Sequence, residues 1–108
     1  MKLREIEGGA ALGLDQNSIN TIADGIARFE SGDDDALYNL GVAFSTGSGG
    51  AVCDMIEAHK WLNIAASKGH EDAAQCRADI AEEMTAREIA EAQRQAREWL
   101  SQNRRKAA

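Results

Sequence analysis

The residues able to do chemistry are few: Cys53, Cys76, His59 and His70, with a glycine run at Gly47-Ser48-Gly49-Gly50. Thiolate zinc sites need cysteines in close pairs, and disulfide scaffolds need several of them, so two lone cysteines fit neither chemistry. They are read as reduced, partly packed thiols. Neither histidine has a His, Cys or carboxylate four residues away, the spacing that sets two metal ligands on one helical face. A phosphate-binding loop needs a lysine followed by Ser or Thr at its end and a strand before it, and the glycine run has neither. No nucleophile sits in a recognisable elbow and no cofactor fingerprint occurs. The acids Glu82, Glu83, Glu88 and Glu91 fall at helical spacings among arginines and read as a solvated face. No catalytic residue, metal ligand or cofactor-binding residue is assigned, and an enzyme is not expected.

Charge narrows the partners. The formal net charge of −6 repels a nucleic-acid backbone, so nucleic acid is not an expected partner. The one basic cluster, Arg104-Arg105-Lys106, lies in a short tail over 104–108. Acids in the first residues and a short, glycine-broken apolar stretch over 8–14 make a poor secretion signal, and nothing reaches the roughly 20 apolar residues of a membrane span. The expectation is a cytoplasmic protein with no membrane partner.

The elements that would position these residues are helices. Hydrophobic residues make up 44% of the chain but aromatics only 5%, so elements must approach over small side chains. Proline is absent and glycines cluster between segments, which favours helices joined by glycine turns. Residues 1–14 read as a loose leader and 15–103 as one helical domain. Ile19, Ile22, Ala23, Ile26 and Phe29 recur at helical spacing, which predicts a first helix over 18–30 with Gly25 at a close crossing. Asp33, Asp34 and Asp35 read as a cap for a second helix with Ala36, Leu37, Leu40 and Phe44 inward, ending near Thr46. Asp54 and Glu57 resemble a capping box opening a third helix, whose inner side carries Ala58, Trp61, Leu62, Ala65 and Ala66. His70 is placed to cap carbonyls of that helix. A fourth segment carries Ala73, Ala74, Arg77, Ile80 and Met84. Thr85 and Glu88 cap a fifth, with Ile89, Ala92, Ala96 and Trp99 inward. Five helices on short turns predict an all-α fold with sequence neighbours packed as antiparallel pairs.

Residues 32–37 and 69–74 align at one offset, since 69 − 32 and 73 − 36 are both 37. Such a period, each unit holding a helix pair, is the signature of an α-solenoid. The run Ala36-Leu37-Tyr38-Asn39-Leu40-Gly41-Val42-Ala43-Phe44, then Gly47-Ser48-Gly49-Gly50, Asp54, Ala58, Trp61, Ala65-Ala66, Gly69-His70 and Ala73, resembles the Sel-1-like repeat, a relative of the tetratricopeptide repeat. The resemblance covers residues 36–73 directly, within one full repeat at about 33–69, flanked by a partial repeat and a C-terminal cap. Arg77 stands where Leu40 stands one repeat earlier, and the glycine loop is missing between the fourth and fifth helices. In this family Leu40, Gly41, Phe44, Ala58, Trp61 and Ala65 are packing positions, as the periodicity also indicates, and Leu37, Ile80 and Trp99 extend the same stripes.

Proteins of this family act as adaptors, so the resemblance implies a short α-solenoid that offers a groove to a peptide or helix of a protein partner. The lining implied is Tyr38, Val42 and Ser45 from one unit and Gln75, Asp79 and Glu82 from the next. A structural, self-assembling role is the alternative, with homodimers formed through the solenoid ends.

Overall fold

The computed structural model describes residues 14–107, with side chains through residue 103. The chain there folds into five helices with no strand among the described residues: α1 (Gln16–Glu30), α2 (Ala36–Thr46), α3 (Met55–Ser67), α4 (Glu71–Ala81) and α5 (Ala86–Ala107). Residues 1–13 of the expected leader lie outside the described residues, whereas Leu14 packs against the core. The helical domain was expected to end at 103, but α5 continues through the Arg104–Lys106 stretch to Ala107.

Helix α3 is the hub of the fold. It packs against α2, α4 and α5, while α1 covers α2 and α4 also touches α2. Its buried residues Glu57, Ala58, His59, Trp61, Leu62, Ile64 and Ala65 fall on more than one side, as a central helix requires. Leu37, Leu40, Phe44, Ala58, Trp61 and Ala65 are all buried, and Ile80 and Trp99 are half-buried against them. The expected pairing of α4 with α5 is replaced: α5 turns away from α4 and lies along α3, where Ala92 and Ala96 are fully buried. Two alanines four residues apart remove side-chain bulk from one face of α5, so it approaches α3 closely and Trp99 reaches Trp61 edge-on at 5.4 Å.

Glycine sets the second close approach. A Cβ on Gly41 would fall 2.6 Å from Leu62 Cγ and 3.2 Å from the Ala58 carbonyl oxygen, so α2 meets α3 where no other residue fits. Gly25 does the same for α1 against Leu40, less tightly, at 3.2 Å. That crossing stands where it is expected, and Ile22, Ile26 and Phe29 pack against the core as expected. Helix α1 departs from the expectation in that Ser18 is buried, whereas Ile19 is 43% exposed and Ala23 is also exposed. The helix begins two residues before its expected start because the Asp15 side chain accepts the Ser18 amide at 2.8 Å. That bond holds the Asp15 carboxyl below the ordinary aspartate value. The buried Ser18 hydroxyl in turn accepts the Val52 amide at 3.0 Å, tying α1 to the α2–α3 loop.

The turns that close α1 and α3 share one hydrogen-bond pattern. Gly32 N–H donates to Phe29 O and Asp33 N–H to Arg28 O, both at 3.0 Å. At the positions 37 residues on, Gly69 N–H donates to Ala66 O at 3.0 Å and His70 N–H to Ala65 O at 3.1 Å. Both glycines hold left-handed φ, 110° and 98°, as this helix stop requires. The aligned residues thus end their helices with the same glycine stop, one that many helices use.

Candidate functional site

Tyr38, Val42 and Ser45 follow one another at i, i+4 and i+7 on α2, a spacing that sets them in a row. All three are half-buried. The Ser45 hydroxyl turns back to donate to the Val42 carbonyl at 2.8 Å. Gln75, Asp79 and Glu82 make the equivalent row on and just past the end of α4, and all are exposed. The Gln75 amide donates to Asp79 across one turn at 3.1 Å.

The two rows are joined by His70. Its Nδ1 accepts the Ala73 amide at 3.1 Å, so the histidine is the N-cap of α4. An acceptor at Nδ1 puts the proton of the neutral ring on Nε2, which donates to Asp35 Oδ1 at 2.8 Å. The ring also stacks on Tyr38, with centroids 4.6 Å apart and planes 16° from parallel. This corrects the expectation that His70 caps carbonyls of α3. Backbone amides of the turn satisfy those carbonyls, which frees the ring to hold the starts of α2 and α4 together. Asp35 likewise makes no side-chain cap on α2, because its carboxylate is engaged by His70. The link spans 35 residues. A trace of it is present in the aligned turns, where a histidine stands in place of Asp33, a residue type able to cap and to reach outward at once.

Electrostatically this side of the molecule is acidic. Helix α2 carries no charged residue, and Asp33, Asp34 and Asp35 precede it. The acids Glu71, Asp72, Asp79, Glu82 and Glu83 on and around α4 stand against a single base, Arg77, which turns to α3 and donates to Asn63 at 2.6 Å.

Three clefts lie elsewhere, and none of the six row residues lines them. One of about 280 Å³ opens between the equivalent turns, over Phe29, Leu37, Ala65, Lys68 and His70. Another of about 470 Å³ runs between α3 and α5, past Glu57, Lys60, Glu91, Arg94 and Trp99. The third, of about 150 Å³, separates α1 from α2 beside Gly25 and Leu40. The second contains a buried charge that sequence reading missed. Glu57 does not close a capping box. Asp54 alone accepts the Ile56 and Glu57 amides, while the Glu57 carboxylate accepts the Trp61 indole N–H at 3.0 Å and pairs with Lys60 at 3.1 Å. The i, i+4 spacing of Glu57 and Trp61 was the available signal.

The remaining reactive groups stay apart from these features. Cys53 is exposed, and its thiol lies 3.6 Å from the Ser45 carbonyl. Burial, with Asp79 nearby, raises the Cys76 thiol above its ordinary pKa and keeps it protonated. His59 is buried with Nδ1 lacking a partner, and burial together with the Arg77 charge lowers its pKa. Among the described residues no cluster of three or more His, Cys, Asp or Glu is placed to hold a metal, and no helix is long and apolar enough to cross a membrane. Comparison with protein-family models, curated proteins and solved structures finds no match for this chain.

Proposed function

We propose that the chain is an adaptor, a short α-solenoid of the Sel-1-like type whose α2–α4 face receives a peptide or helix from a protein partner. One observation carries the reading. Two rows at equivalent repeat positions, Tyr38, Val42, Ser45 and Gln75, Asp79, Glu82, lie on touching helices, and all six side chains keep access to solvent. An aromatic and an apolar residue beside acids favour a partner segment that brings apolar anchors flanked by basic residues. The His70 stack on Tyr38 supports the same reading, since an anchor residue fixed before binding loses less entropy when the partner arrives.

Affinity capture from the native host, followed by quantitative mass spectrometry, tests the proposal when wild type is compared with a Val42→Glu, Asp79→Lys variant. Asp79 is exposed and Val42 half-buried, so the melting temperature is read beside the capture and should stay within a few degrees of wild type. The variant should lose the partner that wild type enriches. An identical set of captured proteins from both chains would remove the α2–α4 face from consideration.

A further inference from the structure

The charged residues of α5 form a pattern that the single chain does not use. From Ala86 to Asn103 the charges are Arg87, Glu88, Glu91, Arg94, Arg97 and Glu98, with no others between. Paired from the outside inward, they give Arg87 with Glu98, Glu88 with Arg97, and Glu91 with Arg94. Every pair is of opposite sign, and every pair is centred midway between Ala92 and Gln93. Two helices related by a two-fold axis and packed antiparallel bring such positions opposite one another, because in an isologous contact residue i meets residue j and j meets i. Arg87, Glu91, Arg94 and Glu98 share one face at i, i+4, i+7 and i+11, whereas Glu88 and Arg97 lie on its opposite edges, so the pairs that can meet across the axis are Arg87 with Glu98 and Glu91 with Arg94. Ala92 and Ala96 are buried on another side of α5, while Glu91, Arg94 and Glu98 border the α3–α5 cleft. These charged side chains are open to solvent: Arg94 is 53% exposed, Glu91 38% and Glu98 59%.

Within one chain, helical pairing engages only part of this set. Arg94 bridges Glu91 at 2.7 Å and Glu98 at 3.5 Å. Arg87 and Arg97 have no ion-pair partner among the described residues. Arg87 also lies in the first turn of α5, where the helix dipole disfavours a cation. Glu88 is held by the Thr85 capping box, its carboxylate accepting the Thr85 amide at 2.9 Å. We propose that the outer face of α5 docks against the same face of a second copy, antiparallel, so that Arg87 meets the partner's Glu98 and Glu91 meets the partner's Arg94. The contact is electrostatic, and the two-fold axis makes each pair twice. It uses none of the six residues of the α2–α4 rows, so a dimer leaves those side chains uninvolved.

Sedimentation of the full chain at increasing concentration tests this. Exposed ion pairs are individually weak and screened, so self-association should be seen at about 50 mM salt and fall at least about tenfold in affinity by about 500 mM. Arg87→Glu sets acid against acid across the axis twice and should abolish association. R87E/E98R should restore it. Those two positions are eleven residues apart, about 16 Å along one helix, so no contact within a chain can produce that rescue. Circular dichroism confirms that both variants stay helical. Three results each overturn the proposal: a wild-type chain that stays monomeric at low salt, an R87E variant that associates as wild type does, or a double variant no better than the single one.

Discussion

Trp61 joins the largest buried side chain of the core to its buried charge. The ring meets Trp99, and the indole N–H donates to Glu57, whose carboxylate is also held by Lys60. Trp61→Ala should therefore cost about 3 to 5 kcal/mol, read from the denaturation midpoint, since it opens a cavity and takes one hydrogen bond from a buried carboxylate. A variant as stable as wild type would contradict this packing. His59 sets a pH dependence of known sign. Its folded-state pKa lies below the ordinary value of about 6.5, so the folded chain favours the neutral ring and the unfolded chain binds the proton first. The stabilisation is complete above that unfolded value and is lost as pH falls through it toward the lower folded value. Melting temperature should drop across that window in wild type and change less in His59→Phe. Equal slopes would place the titration elsewhere.

At the scale of the helices, glycine decides distance. Gly41→Ala raises intrinsic helix propensity by up to about 1 kcal/mol, yet its new methyl would overlap Leu62 and crowd the Ala58 carbonyl. The overlap should win, with a net loss of about 1 to 3 kcal/mol in chemical denaturation. A stabilised variant would show that α2 and α3 are free to separate. The existence and type of α2 to α5 were legible because their apolar residues recur every three to four positions and Gly or an acidic cap marks most boundaries. For α1 the stripe was legible in part: Ile22, Ile26 and Phe29 pack against the core and Gly25 marks the close crossing, but the burial of Ser18, whose hydroxyl holds the Val52 amide, leaves Ile19 and Ala23 exposed. The role of His70 was legible only in part, since a cap is a local feature but the partner on its other nitrogen, Asp35, lies 35 residues away. Likewise, Glu57 reads as a surface acid until the fold covers it.

For the whole molecule, the hub position of α3 replaces a simple succession of hairpins. Local periodicity shows which face of α5 is apolar, and Ala92 and Ala96 then let that face settle on α3 in preference to α4, a choice made by packing at a distance. The two turns 37 residues apart share one hydrogen-bond pattern, and the same offset pairs the two rows of the proposed face. The proposed function rests on those rows, so the most direct measurement is a nitrogen-15 NMR titration of the labelled chain with the segment of the captured partner that binds it. The expected result is amide shift changes concentrated at Tyr38, Val42, Ser45, Gln75, Asp79 and Glu82, with α1 and the outer face of α5 unmoved. Changes confined to α1 or α5, with all six of those amides unshifted at saturation, would contradict the account.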